Sequence, residues 1–424
     1  MPNSLFQMSP SLASSNIYEV NIRQYTAEGT FNAFAKHILR LSEMGVEILW
    51  LMPIYPIGKV ERKGTLGSYY SIADFENVNE EFGTKNDFEN LVKTAHELGM
   101  KVILDWVANH TSWDNIWTKT NPEYFIKDEQ GNFKPPFDWE DVIQMNHENK
   151  AQQHAMIKAM QYWVTTYDID GFRADMAHLI PLQFWLNART KLTTIKKDLI
   201  WLAETENIEY ALAFDITYTW EWMHASEAMC KQQVSLKETV QILERYKNNF
   251  PQNHLRLFFT ANHDENSWVA TEYEKYGAFT KAMAIFSCMY KSVPLIYSGQ
   301  ELPNYKRLKF FDKDEIEWTK NIEHHQFYKI LYDVRKKYTA LFENPTIEFD
   351  EAALNYNLLC YSIKNNENEI YVCLNFRGES TNFKLKNIHG NYKNIFTNEI
   401  LKIENELVFA TTSGGYLVLE KIQP

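Results

Sequence analysis

The chain has 424 residues, and its 43 Lys and Arg against 55 Asp and Glu give a formal net charge of −12 at pH 7. This charge disfavours a nucleic-acid partner, because nucleic-acid binding draws its affinity from Lys and Arg that neutralise phosphates. The sequence has no continuous apolar run of about 18 residues, so it predicts no membrane span. The first residues lack a basic segment followed by an apolar one, which predicts a cytoplasmic protein without a signal peptide. The sequence does not indicate an oligomeric state.

The composition indicates a large folded core, since 45% of the residues are hydrophobic and 15% are aromatic. At this length the chain is expected to form two or three domains, or one (β/α) barrel with an appendage. Its four cysteines, Cys230, Cys288, Cys360 and Cys373, show no metal-ligand spacing. Pairing of Cys360 with Cys373 across a hairpin is one interpretation, but free buried thiols are favoured.

Short apolar runs rich in β-branched and aromatic residues recur along the first 300 residues, and most are separated by helical patterns. One helical pattern covers Thr84–Leu98, where Thr84 and Asp87 resemble a capping box, and another covers Ala151–Tyr167. Eight strands alternating with helices predict a (β/α)₈ barrel. A doubly wound sheet is the alternative, but no glycine-rich phosphate turn follows the first strand. The predicted strands are Ile17–Tyr25, Val46–Ile54, Lys101–Val107, Gly171–Met176, Leu199–Thr205, Ala213–Tyr218, Arg256–Asp264 and Pro294–Gln300.

Two segments interrupt this alternation. Residues 111–146 follow the third strand and contain three prolines, which predicts a short inserted domain. From about Leu341 the chain consists of short alternating strands, such as YNLLCYSI, EIYVCLNF and GGYLVLEK. We therefore predict a catalytic barrel over residues 1–110 and 147–340, the insert over 111–146, and a C-terminal β-sandwich over 341–424.

Polar residues follow four of the predicted strands, at the end of a barrel where active sites form. The third strand is followed by Asp105, Asn109 and His110, and the fourth ends with Arg173 and Asp175. Because strand residues two apart share a face, Arg173 and Asp175 are expected to point together into the barrel. Glu204 follows the fifth strand, and His263 and Asp264 follow the seventh. Any one of these residues alone is typical of a loop or a structural contact, so the prediction depends on the set.

Such a set suits glycosidic bond cleavage, which needs one carboxylate to trap the sugar and one carboxylic acid to protonate the leaving oxygen. Arg173 is expected to keep Asp175 ionised, because an opposite charge favours the charged form. Glu204 must be protonated for the first step, so its surroundings are expected to raise its pKa. Asp264 is a third carboxylate that could bind hydroxyls, and Asp105 is interpreted as a structural link between strand ends.

Four blocks carry a resemblance to glycoside hydrolase family 13, the α-amylase family. They are DWVANH at 105–110, GFRAD at 171–175, AE at 203–204 and NHD at 262–264. The segments VNEEFGTKNDF and VPLIYSGQE are also similar to family segments, and the similarity spans about residues 17–305. The resemblance implies a barrel, an insert after strand three and a C-terminal β-sandwich. It also implies roles for Asp175 as nucleophile, Glu204 as acid/base, Asp264 as transition-state stabiliser, Tyr70 as the ring under the sugar, and His110, Arg173 and His263 as sugar-binding residues.

The sequence departs from the family pattern in two places. Many α-amylases have Lys and His three and four residues after the nucleophile, where this chain has His178 and Leu179. We take His178 as a candidate substrate-binding residue. Many family members also bind calcium beside the insert, with the asparagine of the first block as a ligand, and Asn109 occupies that position. No calcium-loop spacing is present, so a structural role for Asn109 is favoured and no required cofactor is predicted. The oxygen donors that a hard cation could use here are Asp114, Asp128, Asp138 and Asp141.

The predicted activity is retaining hydrolysis of α-1,4-glucosidic bonds in malto-oligosaccharides or starch-like glucans. An α-glucosidase, an α-1,6-glucosidase or a glucosyl transferase would use the same residues. A non-catalytic carbohydrate-binding protein would have lost Asp175, Glu204 or Asp264, and all three are present. A metal-dependent hydrolase would need His-rich ligand sets at strand ends, and His110 and His263 are too few.

Overall fold

Eight short parallel strands close into a barrel in the computed structural model, which describes residues 6–386 and 388–422. Around the barrel the strands follow the order β1, β2, β3, β6, β7, β8, β9 and β10, and β10 pairs again with β1. This confirms the predicted barrel. The first ten strands of the chain are β1 (Ile17–Val20), β2 (Ile48–Leu51), β3 (Lys101–Trp106), β4 (His110–Thr111), β5 (Ile143–Gln144), β6 (Gly171–Ala174), β7 (Ile200–Ala203), β8 (Ile216–Tyr218), β9 (Leu255–Phe258) and β10 (Val293–Tyr297).

Helices cover the outside of the barrel, and both predicted helices are present with ends that differ by one residue. The helix after Thr84 is capped reciprocally, since Thr84 Oγ1 accepts from the Asp87 amide and Asp87 Oδ2 accepts from the Thr84 amide. Such caps contribute about 1 kcal/mol each. The helices are α1 (Ile22–Tyr25), α2 (Phe31–Ala35), α3 (Ile38–Met44), α4 (Lys85–Glu97), α5 (Ile116–Thr120), α6 (Lys150–Tyr167), α7 (Leu182–Thr193), α8 (Trp220–Cys230), α9 (Leu236–Asn249), α10 (Glu272–Tyr276), α11 (Thr280–Met289), α12 (His325–Lys337) and α13 (Glu351–Leu354).

Alternate strand residues fill the barrel or face the helices, as the two-residue period of a strand requires. Inward-facing side chains such as Ile48, Leu202 and Leu257 form one buried cluster, and outward-facing ones such as Leu49 and Trp201 pack with the helices. Gly171 begins β6, and a Cβ there would lie 2.1 Å from the Ile200 carbonyl oxygen of β7. This close approach therefore requires glycine.

Every predicted barrel strand extends beyond the observed one, and for three of them the structure gives a local reason. The first ends at Val20, because α1 begins at Ile22. The sixth begins at Ile216 rather than Ala213, because a 3₁₀ helix over Ile208–Leu212 precedes it. The seventh ends at Phe258, and the polar residues beyond take partners in loops. For example, the Glu265 amide donates to Asn262 Oδ1 at 2.9 Å.

The insert after β3 starts and finishes at one pair of strands. β4 pairs with β5 antiparallel, so that His110 lies opposite Gln144 and Thr111 opposite Ile143. Between them lie α5 and a 3₁₀ helix, and the rings of Phe125 and Phe133 pack edge to face. The two ends of the insert are therefore fixed beside the third barrel strand.

The C-terminal region is built from β-strands, as predicted, with one short helix. Six strands form a sheet in the order β11, β12, β13, β18, β15 and β16, and β14 pairs with β17 in a second layer. Buried residues of both layers, such as Leu385 and Leu419, share one core. All four cysteines, which lie in the described ranges, are free thiols. The strands are β11 (Thr346–Phe349), β12 (Leu358–Lys364), β13 (Glu369–Asn375), β14 (Thr381–Lys386), β15 (Gly390–Asn394), β16 (Ile400–Ile403), β17 (Glu406–Thr411) and β18 (Tyr416–Ile422).

None of the helices in residues 6–386 and 388–422 is long and apolar enough to cross a bilayer.

Candidate active site

The guanidinium of Arg173 lies at the centre of the polar cluster at the C-terminal end of the barrel. Arg173 is fully buried on β6, and its Nη1 donates to Asp105 Oδ1 at 2.9 Å and to Asp175 Oδ1 at 3.0 Å. Its Nη2 lies 2.9 Å from Glu204 Oε2. Three carboxylates from three neighbouring strands thus meet one cation. The cation offsets part of their charge, which lowers the cost of burying them together.

Asp105 links the strand ends, in agreement with its predicted structural role. Its Oδ2 accepts from Trp50 Nε1 at 3.2 Å and from the Tyr70 hydroxyl at 3.0 Å. Burial raises the pKa of Asp105 to about 7, because desolvation outweighs the attraction of Arg173. Asp105 therefore holds Tyr70 and Arg173 in fixed positions.

Tyr70 and His263 form a stacked pair beside this cluster. Their ring centroids are 5.4 Å apart with an interplanar angle of 21°, and the Tyr70 hydroxyl lies 2.8 Å from His263 Nε2. The same nitrogen lies 3.3 Å from Asp264 Oδ2, and Nδ1 lies 2.5 Å from Glu19 Oε1. Burial lowers the pKa of His263, but the carboxylates of Asp264 and Glu19 outweigh it and raise this pKa to about 9. His263 is therefore an imidazolium at neutral pH.

The pKa of Asp175 reflects burial and a neighbouring charge as well as the attraction of Arg173 that the sequence predicts. Arg173 does favour the ionised form, but burial and the nearby charge of Asp264 raise the pKa of this carboxyl above its usual range. The two oxygens of Asp175 differ in their contacts. Oδ1 accepts from Arg173, whereas Oδ2 is buried and has no hydrogen-bond partner within the described residues. One oxygen is thus held in place and the other is free.

Glu204 has a raised pKa, as the sequence analysis predicts for a general acid. Burial is the largest cause, and the negative charges of Asp175 and Asp264 add to it against the opposing effect of Arg173. Its Oε2 also accepts from the Met176 amide at 2.9 Å. Met176 has a φ of +42°, which is strained for a residue with a side chain. Met176 directly follows Asp175 and its amide binds Glu204, so the strained residue lies between these two carboxylates.

The remaining predicted residues make no hydrogen bond or ion pair with the Arg173 cluster within the described residues. His110 is buried in β4, where burial lowers its pKa to about 4 and leaves it neutral, and its ring packs against Trp139. Asn109 Nδ2 lies 3.3 Å from His110 Nδ1, which orients the imidazole. His178 is exposed on a 3₁₀ turn, and its backbone oxygen accepts from the Tyr210 hydroxyl at 3.3 Å.

Aromatic rings continue from the cluster to the surface. Phe310 stacks with Tyr70 at 6.3 Å and 12°, and Trp268 contacts Phe310 at 5.1 Å between centroids. Trp268 belongs to a π-helical turn that directly follows Asp264, and it is 54% exposed. On the insert, the exposed Phe137 packs against Trp139. Exposed rings beside a polar cleft are suited to the apolar faces of sugars.

The sequence analysis missed three side chains that shape the site. Glu19 bonds to His263, Trp50 lies beneath Arg173 at 4.8 Å, and the Tyr218 hydroxyl accepts from Arg173 Nε at 3.3 Å. The available signal was a carboxylate within the buried strand IYEV, since buried Glu residues are rare unless paired. Its partner His263 lies 244 positions away and could not be identified from the sequence alone.

Three of the four aspartates considered as calcium donors have protein partners. Asp128 closes its own turn by accepting from the Gln130 and Asn132 amides, Asp141 pairs with Lys63 at 3.0 Å, and Asp114 accepts from the Lys59 amide. Across residues 6–386 and 388–422 no group of three His, Cys, Asp or Glu side chains could hold a metal ion.

Comparisons with known proteins agree with this geometry. The family model described as alpha amylase, catalytic domain, matches residues 10–144 and 128–336. Alpha-amylase 2 of Dictyoglomus thermophilum is 24% identical over 415 residues, which cover 90% of this chain and 69% of that protein. An alpha-amylase from Lactobacillus plantarum superposes with a TM-score of 0.89 at 28% identity, covering 98% of this chain and all of that one. A maltogenic alpha-amylase from Thermotoga neapolitana gives a TM-score of 0.89 at 32% identity, with 98% and 100% covered.

The barrel, the carboxylate cluster and these matches define a glycoside hydrolase. The chain belongs to the α-amylase family.

Proposed function

We propose that this enzyme hydrolyses α-1,4-glucosidic bonds in malto-oligosaccharides or starch-like glucans with retention of configuration. The observation that carries the proposal is the asymmetry of Asp175, whose Oδ1 is bound by Arg173 while Oδ2 has no partner among the described residues. A nucleophilic carboxylate needs one oxygen fixed and one free to reach an anomeric carbon. Glu204 Oε2 lies 2.9 Å from Nη2 of the same guanidinium, and this arrangement is consistent with the carboxyl separation of about 5–5.5 Å in retaining enzymes.

In the first step Asp175 Oδ2 forms a bond to the anomeric carbon while the bond from that carbon to the leaving oxygen breaks. The proton on Glu204 passes to the leaving oxygen, so the shortened glucan departs as an alcohol and a glucosyl ester remains on Asp175. Asp264, which is partly exposed, faces the positive charge that develops on the sugar ring. Tyr70 and the imidazolium of His263 bound the pocket that receives that ring.

In the second step Glu204 is a carboxylate and acts as a base. It takes a proton from water while the water oxygen bonds to the anomeric carbon and the ester bond to Asp175 breaks. The product has the α configuration of the substrate. A sugar hydroxyl that replaces water would give a longer chain, so a transferase is the second candidate and uses the same residues.

The names of the relatives support the linkage. The matched proteins are α-amylases and a maltogenic α-amylase. We carry α-1,4-glucan cleavage to this chain on that basis, and we propose that it proceeds without a required metal because the aspartates near the insert are otherwise engaged.

The test is a product time course on maltoheptaose, with the anomeric form of the new ends followed by NMR. Early α-anomers support a retaining α-glucan hydrolase, and the product lengths distinguish endo cleavage from glucose release. Products longer than the substrate favour the transferase. Early β-anomers would contradict the proposal. Turnover of an α-1,6-linked substrate but not of maltoheptaose would refute the α-1,4 assignment.

A further inference from the structure

A second cavity lies away from the carboxylate cluster, between the barrel and the C-terminal strands. It encloses about 210 Å³ and is lined by α9, by the segment that leads into β9 and by β11. None of the predicted site residues lines it. Ligand sites are frequent where two structural units meet, and this volume is smaller than the roughly 300–1,000 Å³ of pockets for drug-sized molecules. Its size therefore suits a small ligand.

The cavity carries positive charge that the protein does not neutralise. Lys247 and Lys291 both line it, and neither has a carboxylate within 4.0 Å in the described part of the chain. Lys291 Nζ donates to the Gln252 carbonyl at 2.6 Å. The two lysines line the same cavity, and burial together with the positive charge of Lys247 lowers the pKa of Lys291. Glu244 is the one carboxylate on the lining.

A third cation, Arg256, is built into the wall. Its guanidinium carbon lies 4.2 Å from the Tyr246 ring centroid and 3.9 Å from that of Phe250, and Nη2 pairs with Glu206 at 3.0 Å. Nε is buried and has no hydrogen-bond partner within the described ranges. The neighbouring His254 stays neutral, because burial, Arg256 and Arg189 lower its pKa to about 3. The lining thus carries three cationic side chains against one carboxylate, although the chain as a whole has a net charge of −12.

We propose that this cavity binds a small phosphorylated sugar. A phosphate monoester has a charge of about −1.5 to −2 at neutral pH, which the two unpaired lysines would neutralise. Lysine binds phosphate as a point charge, so the site does not need the bidentate hydrogen bonds that an arginine would make. The rings of Phe250 and Phe349 on the lining offer apolar faces against which a sugar ring can pack. The site is independent of the proposed glucan hydrolysis, because it shares none of its residues.

The experiment is isothermal titration calorimetry of the full chain carrying Asp175→Asn, which is expected to bind maltoheptaose without cleaving it. Glucose 6-phosphate, inorganic phosphate and glucose are titrated separately, each with maltoheptaose present to occupy the catalytic cleft, and all lysine variants are made in this same background. We expect saturable binding of glucose 6-phosphate, at least tenfold weaker binding of inorganic phosphate and no binding of glucose. The double variant Lys247→Met/Lys291→Met should bind glucose 6-phosphate at least tenfold more weakly. Lys158→Met, an exposed lysine of α6, is the matched control and should bind as the wild type does.

Each other outcome would overturn the proposal. They are no saturable binding of glucose 6-phosphate, equal affinity for inorganic phosphate, and unchanged affinity in the double variant. Because both lysines are at the surface of the cavity, their removal is not expected to prevent folding. Matching thermal unfolding curves check this directly. Failure here would leave the maltoheptaose result untouched, so the two proposals are tested separately.

Discussion

Glu19 Oε1 lies 2.5 Å from Nδ1 of His263, although the two residues are separated by 244 positions in the chain. Glu19 is fully buried on β1, and its carboxylate helps to hold His263 in the protonated form. The other ring nitrogen faces Tyr70 and Asp264. Glu19 therefore acts on the reaction through His263, and we regard it as a positioning residue.

We predict that Glu19→Gln lowers the pKa of His263 and moves the alkaline limb of the activity profile to lower pH. The stability profile should change as well. The pKa of His263 is raised from 6.5 to about 9 in the folded protein, so protonation of His263 adds to the free energy of unfolding. This contribution is fully present below pH 6.5 and is lost as the pH rises to about 9. Because one proton is involved, the free energy of unfolding falls by at most about 1.4 kcal/mol per pH unit in this range. Chemical unfolding at several pH values measures this. Between pH 6.5 and about 9, the free energy of unfolding should fall less in Glu19→Gln than in the wild type.

Glu47→Gln serves as the control for this experiment, because Glu47 pairs with Lys336 at 2.9 Å on the surface. It should leave both profiles unchanged. An unchanged pH profile in Glu19→Gln, with only a uniform loss of stability, would mean that Glu19 is structural.

Asp175→Asn should reduce turnover of maltoheptaose to below a few per cent while binding of the glucan persists. The amide removes the negative charge of the nucleophile but keeps its shape, so the transition state loses more than the ground state. Steady-state kinetics and calorimetry measure the two quantities, and the exposed Asp198→Asn is the control. Residual activity above a few per cent would contradict the assignment.

Glu204→Gln should affect substrates according to their leaving group. An alcohol of a glucan needs protonation to depart, whereas an activated aryl group does not. We expect a loss of at least about 100-fold on maltoheptaose and a much smaller loss in the first step on an activated aryl maltoside. The exposed Glu209→Gln provides the reference. Equal losses on both substrates would exclude Glu204 as the acid.

Trp268→Ala should weaken binding of long substrates. Its ring extends the series that begins with Tyr70 and Phe310, so it is placed to contact a sugar beyond the cleavage site. One stacking contact contributes about 1 kcal/mol, which is roughly a fivefold rise in KM for maltoheptaose. Maltotriose should be affected less. Tyr356→Ala, an exposed ring in the C-terminal region, should change neither KM. An equal change for both substrates would argue against an extended subsite.

EDTA should leave the activity and the unfolding temperature unchanged. Asp114, Asp128 and Asp141 of the insert already bond to amides or lysine, so a chelator is expected to remove no structural ion. Activity assays and thermal unfolding before and after dialysis against EDTA test this. Rapid loss of activity that added calcium restores would show that a metal is needed.

The order of strands and helices was predictable from the sequence, because hydrophobic period and turn residues are local signals. The sequence also predicted which residues lie near one another at the barrel mouth, because parallel strands bring their C-terminal ends together. The rise in the pKa of Asp175 could not be predicted, because it depends on how far the effect of burial outweighs the attraction of Arg173. The strand ends were also misjudged, as in the segment after Phe258, where loop contacts compete with the sheet.

The pairing of β4 with β5 has a consequence for how this enzyme can diversify. Because the first and last residues of the insert are hydrogen-bonded neighbours, residues 112–142 form a closed excursion that enters and leaves the barrel at one point. Its length and rings can change without altering the spacing of the strands that carry the carboxylates. One wall of the cleft is thus exchangeable, and substrate preference can evolve there while the chemical step is preserved.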